Sequence, residues 1–407
     1  MNEARLGELL REVPIPEAEA AERRGQALVT AAFAECAAGD RAPRHRASLP
    51  RLVLALAIAS LLAALLLTPA GAAVRDWVDD VFTAGVRDAE PALTRIPGGG
   101  RLLVQSDAGP WVVKADGSRR LLGRYREATW SPRGLYVGTA SGRTLSAVQP
   151  DGTPRWSLSP GGVVSVPRWS PSGFLIAFRA GDSLRVTAAD GNEDVLLAGH
   201  TGALPPAWSA RGLALLAYVD AGGVLRIADT ESGATIWSAE ALPGSTGMEW
   251  APDDSALLEI SPRTLRLREV ELGKLIERVR LGPPRNVSLP QRADVVDAAL
   301  SPDGNAIAVL LSLGGARTPR SAVIVTDPTG APSRTLLRTP GRLSELAWSP
   351  DGSRLLIAWP EADQWLFVPT EARGRVRAIG DISRQFAPGT SGTASFPQVA
   401  GWCCRSP

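Results

Sequence analysis

The stretch Ala347 to Trp359, AWSPDGSRLLIAW, constrains the fold more than any other part of the chain, because degraded copies of it recur along the sequence. They read TWSPRGLYVGTA from Thr129, RWSPSGFLIAFR from Arg168, AWSARGLALLAY from Ala207, EWAPDDSALLEI from Glu249 and ALSPDGNAIAVL from Ala299. The tryptophan position, occupied once by Leu300, falls at 130, 169, 208, 250, 300 and 348. Self-similarity at a period of roughly 40–50 residues, in units of short strands, is the signature of blades arranged in a ring, a β-propeller.

The chemistry of the unit agrees. Ser-Pro-Asp-Gly supplies Pro at the second turn position, where a φ of about −65° is wanted, and Gly where φ is positive, so a hairpin follows the Trp strand. Runs such as Leu355-Leu356-Ile357-Ala358 are apolar on both faces, as in strands covered by neighbouring sheets. A second hairpin follows in each unit, with copies beginning at Trp111, Leu145, Leu184, Leu225, Leu265, Ala322 and Trp365. The earliest copy lacks a Trp strand before it, whereas FPQVAGWCC, Phe396 to Cys404, puts Trp402 in the repeat position with no hairpin after it. The expectation is an all-β ring of seven four-stranded blades, with six possible, closed by pairing of its N- and C-terminal strands; closure removes exposed sheet edges. Trp130, Trp169, Trp208, Trp250, Trp348 and Trp402 are then structural repeat positions.

These repeats resemble the WD40-like, TolB-type propeller repeat over about Arg95 to Trp402. Ser301-Pro302-Asp303-Gly304 and Ser349-Pro350-Asp351-Gly352 match fully, while Ala210-Arg211 and Asp253-Asp254 depart from the pattern. TolB-type members often have six blades. Ala228 to Trp237, ADTESGATIW, resembles the tryptophan-docking repeat of pyrroloquinoline-quinone dehydrogenases, a motif that locks blades together and carries no chemistry. The convergent carboxylates of a cation site do not appear beside it.

No catalytic, cofactor-binding or metal-ligating residue emerges. Beyond the apolar run described next, His200 in AGHTG is the only histidine, in the setting of a loop between blades, and no Gly-x-Ser-x-Gly elbow or phosphate-binding loop accompanies it. Asn286-Val287-Ser288 satisfies the glycosylation sequon, a pattern that also recurs by chance. Formal net charge is +2, from 44 basic and 42 acidic residues, and the basic residues are almost all Arg, so no cationic excess points to nucleic acid. Cys36, Cys403 and Cys404 form neither a disulfide framework nor a paired zinc motif and read as free thiols, the last two held at the ring's seam.

Leu52 to Val74, LVLALAIASLLAALLLTPAGAAV, contains no charged residue. At a rise of about 1.5 Å per residue, a helix over this run is long enough to cross a hydrocarbon core of about 30 Å. Arg41, Arg44, Arg46 and Arg51 precede it and Asp76, Asp79 and Asp80 follow, which places the N-terminus in the cytoplasm and everything after Val74 outside. Cleavage near Ala70-Gly71-Ala72 is the competing reading; the long leader favours an uncleaved signal anchor. The expected organisation is a cytoplasmic helical segment over 1–50, a transmembrane helix over 51–74, a stalk over 75–94 and the propeller over 95–407. Glu17 to Ala38, rich in Ala, Glu and Arg, reads as the cytoplasmic helix, and its place before a span resembles the layout of anti-sigma-factor membrane regulators. Their His-x-x-x-Cys-x-x-Cys motif is missing around Cys36.

Where a partner would bind follows from the irregular parts. Both kinds of hairpin turn fall on one rim, and the remaining loops fall on the other. Those loops lengthen in later blades, at Gly282 to Val295, Ser312 to Ser321 and Gly380 to Ser395, and carry Arg285, Arg292, Arg317, Arg320 and Arg384. The function expected is a non-catalytic, membrane-anchored scaffold that binds an extracytoplasmic protein or cell-envelope ligand. The alternative is a transmembrane signalling regulator whose propeller senses while Glu17 to Ala38 binds a cytoplasmic partner.

Overall fold

The computed structural model of the chain describes residues 89–404, apart from residue 91 and segments 273–278, 316–317, 329–332, 372–373 and 388–393. The chain divides into two units, Met1–Arg75 and Asp76–Pro407, and every described residue belongs to the second. The expected cytoplasmic helix, the apolar run Leu52 to Val74 and Arg317 all lie outside the described residues. No helix among the described residues is long and apolar enough to cross a membrane.

Why the repeat makes a sheet is visible in its turn. In the copy beginning at Ala347, Gly352 donates its N–H to Ser349 O at 2.9 Å with φ at +72°, and Ser349 Oγ accepts the Arg354 N–H at 2.9 Å. That closes a hairpin between Glu345–Trp348 and Arg354–Trp359. The same Ser-to-Gly bond recurs at Gly134, Gly173 and Gly304; in the copy beginning at Glu249, where the turn has no Gly, Asp254 takes the left-handed conformation at φ +60°. Asp tolerates that region better than most side chains, so the departure in sequence leaves the turn intact.

Among the described residues the strands make seven antiparallel sheets, six of four strands and one of five. Blade 1 orders as Gln398–Cys403, Arg101–Ser106, Gly109–Val113 and Arg119–Leu121. Blades 2 to 7 follow in sequence, their innermost strands being Glu127–Trp130, Val164–Trp169, Ala207–Trp208, Gly247–Trp250, Ala293–Leu300 and Glu345–Trp348. Each first strand packs on the first hairpin of the preceding sheet, and Gln398–Cys403 touches both Glu345–Trp348 and Glu127–Trp130, so the series closes on itself. Seven blades resolve the count. The fifth strand, Arg285–Asn286, adds to the outside of blade 5 against Arg266 and Leu267.

The apolar runs are covered from both sides. Leu355, Leu356, Ile357 and Ala358 are each 0% exposed, Leu355 and Ile357 packing toward blade 6 and Leu356 and Ala358 toward blade 1. Burying one Leu or Ile side chain stabilises by about 1.5–3 kcal/mol, so these second strands carry much of the fold. The repeat tryptophans add direction. Trp208, Trp250 and Trp348 donate their indole N–H to Arg168, Ala207 and Ala299 carbonyls at 2.9, 3.1 and 3.0 Å. Each acceptor immediately precedes the equivalent position of the preceding blade, so the indole fixes the stagger of one blade on the next; a bond of this kind contributes roughly 1 kcal/mol. Trp130 and Trp169 keep buried indole N–H groups with no acceptor.

At the seam, Arg101 pairs with Cys403 and Leu102 with Trp402, and the Trp402 indole donates to Gly99 O at 2.9 Å. Arg101 lies over the Trp130 ring at 5.2 Å, tying the seam to blade 2. The expectation that Cys403 and Cys404 are free thiols is corrected: the two are joined as a vicinal disulfide. Adjacent cysteines read as free because the ring they would close is small, whereas Cys404 adopts a left-handed backbone at φ +58° where the closing strand ends. At Gly134 a Cβ would fall 2.7 Å from Cys404 Sγ, so only glycine fits beside the pair.

Candidate functional site

Antiparallel order gives the ring two unlike rims. The turn rim holds the Ser-Pro turns and the turns between third and outermost strands; the crossover rim holds the other hairpin ends and the blade-to-blade connections. Several expected long loops of the crossover rim are shorter than the sequence suggests, because strands extend into them. Ala293–Leu300 begins at Ala293, Ile307–Leu313 runs to Leu313, and Arg320–Thr326 starts at Arg320. Strands of alternating apolar and polar residues at a rim look like loop when read without their partners.

This extension brings arginines together. Ala293 pairs with Leu313 and Leu313 with Arg320, so Arg292 and Arg320 flank the same rung at the top of blade 6. Val295 N–H donates to Pro262 O at 2.7 Å, which sets the blade 5 turn Ser261–Thr264, and with it Arg263, alongside. Arg338 stands opposite Ala322, two residues in from Arg320. Arg263, Arg292, Arg320 and Arg338 are exposed, and none has an ion-pair partner among the described residues. The exposed acid in their midst is Asp294. Arg292 holds a left-handed backbone at φ +61°.

The other rim candidates lie elsewhere. Arg285 sits on the added outer strand of blade 5, 3.8 Å from Glu269. Arg384 is on a short helix, Ile382–Gln385, in the connection from blade 7 to blade 1. Arg263 and Arg338 are not among the residues the sequence singles out, one being in a tight turn and the other inside a strand; neither stands in a long loop, and only strand register shows them beside Arg292 and Arg320.

A second feature has no counterpart among the sequence expectations. On the innermost strands, carboxylates accept backbone N–H groups from the next blade: Glu127 from Val166 at 2.5 Å, Glu249 from Leu300 at 2.8 Å, Asp297 from Leu346 at 2.9 Å and Glu345 from Val399 at 2.8 Å. Glu345 thereby reaches across the seam. Burial pushes Glu249 and Glu345 up to about 7 and Asp297 to about 6; the donated N–H groups oppose the rise, and the Asp297 charge adds to it at both glutamates. In blade 3, burial lowers the Arg168 guanidinium, while the Glu127 charge raises it. An acid three residues before the tryptophan position, as in EATW, DAAL and ELAW, is the signal in the sequence for three of the four; Glu249 stands directly before Trp250.

His200 pairs through Nδ1 with Asp182 at 2.9 Å, both side chains exposed, on a connection between blades. Among the described residues, no group of three or more His, Cys, Asp or Glu is arranged to hold a metal ion.

No family model and no curated protein matches the chain. Solved structures do. The β-propeller domain of Cps50 (Swd1) from Myceliophteria thermophila superposes with a TM-score of 0.55 at 15% identity, covering 71% of this chain and 99% of that one. KlHsv2 with loop 6CD replaced by a Gly-Ser linker follows at a TM-score of 0.49 and 12% identity, covering 74% and 95%. Hydrazine synthase of Kuenenia stuttgartiensis gives 0.46 and 16% over 60% and 76%. At such identities the likeness is one of fold, and the first of these supports a WD40-like propeller for this chain.

Proposed function

We propose that the protein is a non-catalytic scaffold, tethered to a membrane through Leu52 to Val74, whose propeller stands outside the cytoplasm and holds an acidic protein partner on the crossover rim of blades 5 and 6. The observation that carries this reading is the group Arg263, Arg292 and Arg320, drawn together by strand register, none of them ion-paired among the described residues and with Asp294 as the one exposed acid between them. Two other cations of the same rim are engaged, Arg226 with Asp220 at 2.7 Å and Arg342 with Glu361 at 3.5 Å, while Arg124, Arg126 and Arg384 stand singly on other connections. An arginine presents a planar fork of donors suited to carboxylates, and clustered arginines steer an acidic partner.

The test is a charge-reversed chain, Arg292→Glu with Arg320→Glu, and a second with Arg317→Glu and Arg320→Glu. Both positions in the first variant are exposed, so folding is preserved. Crosslinked capture from membranes is expected to lose the partner roughly ten-fold or more in the first variant, in line with the loss of two charge contacts. Capture at the wild-type level from both variants rules out this rim.

A further inference from the structure

We propose that the inner part of the turn rim over blades 2 to 4 is a lipid-docking face, which rests on an anionic bilayer surface; the proposal builds on the membrane-tether reading above. Equivalent positions of the Ser-Pro turns show the asymmetry. The residue after the turn is Leu135 in blade 2, Phe174 in blade 3 and Leu213 in blade 4, but Ser255, Asn305 and Ser353 in blades 5 to 7. Phe174 is 76% exposed and Leu135 60%, an unfavourable arrangement in water for residues that the repeat replaces elsewhere with Ser or Asn, whereas Leu213 is half-buried against the core of blades 4 and 5. The third turn residue follows the same division: Arg133, Ser172 and Arg211 on one half, Asp253, Asp303 and Asp351 on the other.

The turns form one strip. A Cβ on Gly173 would lie 3.8 Å from Pro132, and one on Gly212 3.5 Å from Ser172, so turns of successive blades abut. Val195 and Leu196, on the outermost strand of blade 3, are also 54% and 53% exposed. Arg133 and Arg211 are exposed without ion-pair partners among the described residues, although Asp253, held low chiefly by its hydrogen bonds from Ser255, is also lowered by the Arg211 charge. On the opposite half the aspartates bend into their own turns, Asp303 accepting from Ser301 at 2.5 Å and Asp351 from Ser349 at 2.6 Å. Among the described residues the outer turns of blades 1 to 4 carry acids as well, Asp116, Asp151, Asp190 and Asp229, so the asymmetry belongs to the inner turns.

Apolar tips beside arginines are the composition that seats a surface in the headgroup region of an anionic membrane, and the aspartate half opposes such contact, which fixes the tilt. The chain's approach favours the same rim. Glu90 pairs in parallel with Ile379, so it runs as the outermost strand of blade 7 runs, away from the turn rim. The stretch between Val74 and Ala89 is short: roughly 14 residues, at about 3.3–3.6 Å each, span at most roughly 50 Å, a tether compatible with docking.

The experiment uses the full chain in nanodiscs of phosphatidylethanolamine and phosphatidylglycerol, with p-benzoylphenylalanine placed at Phe174 or, as control, at Ser353. Irradiation is expected to give phospholipid adducts at 174 on the order of ten-fold above 353, and Arg133→Asp with Arg211→Asp to remove most of that excess. Adducts equal at the two positions, or at neither, overturn the proposal. So does an adduct at 174 with a second copy or another protein, which would make the strip a protein interface. If alkaline washing strips the chain from the nanodiscs, the tether reading fails; the same irradiation with vesicles added to the free chain then decides docking alone, lipid adducts at 174 supporting it and their absence overturning it.

Discussion

Glu259 is 1% exposed in the second strand of blade 5 and faces two guanidinium groups, Arg266 at 3.1 Å and Arg268 at 2.9 Å, while the Leu242 N–H donates to it at 2.7 Å. Arg268 also donates to Glu240 O at 2.9 Å and lies over the Trp237 ring at 5.6 Å. A carboxylate between two buried cations is held by them, and they by it. Removing it strands both charges, at a cost of about 3–5 kcal/mol. Glu259→Ala is therefore expected to lower the unfolding free energy by that amount, read as a fall in denaturant midpoint at constant slope. A loss below about 1 kcal/mol would mean that water reaches the arginines. None of this is legible in EWAPDDSALLEI, where Glu259 looks like any exposed strand residue. Its partners stand further along the chain, and only the pairing of Glu259 with Arg266 makes them neighbours.

Among the elements, the closing strand Gln398–Cys403 is legible because Trp402 repeats a position that six earlier copies define, and a strand lacking a hairpin needs a sheet lacking a strand. What stabilises the seam is not legible. Gly380 to Ser395 reads as a loop, yet it contributes Phe386, 2% exposed, between Trp365 at 5.3 Å and Trp111 at 5.8 Å from neighbouring blades. Arg119 covers the ring from the outside at 5.7 Å. A single aromatic residue in an irregular stretch has no period to betray it. Phe386→Ala opens a cavity between blade 7 and blade 1, the blade closed by the first and last strands of the ring, and a destabilisation of about 3–5 kcal/mol is expected. Thermal unfolding followed by tryptophan fluorescence measures it, since Trp111 and Trp365 lose their neighbour. The same substitution at a half-exposed junction residue such as Trp130 should cost less, and equal losses would show that the seam has no special weight.

At the scale of the whole molecule, blade number and ring closure follow from the repeat period, whereas the carboxylates that stitch the ring depend on neighbours a full blade away in sequence. Glu249 and Leu300, Asp297 and Leu346, and Glu345 and Val399 meet only once the blades stand side by side. Their consequence is a pH dependence that runs against the usual direction. The groups facing these three carboxylates from the packed strands are one another, since Ala207–Trp208 and Gln398–Cys403 bring no charged side chain, and Glu259 on the adjoining second strand is neutralised by Arg266 and Arg268. Folded values of about 7, 6 and 7 stand above the ordinary 4.5, 3.8 and 4.5, so the native ring binds more protons than the unfolded chain between those limits. Stability from these groups is then complete below about pH 4 and is lost as pH rises through 6 to 7. Aspartates held low by their own turns, such as Asp303 and Asp253, act oppositely and matter only at lower pH. The melting temperature should accordingly be higher at pH 5 than at pH 8. Combining Glu249→Gln, Asp297→Asn and Glu345→Gln, which keeps an oxygen to accept each N–H, should flatten that slope and raise stability at pH 8. A wild-type melting temperature that climbs between pH 5 and 8, or a slope unchanged in the triple variant, would remove the three carboxylates as its cause.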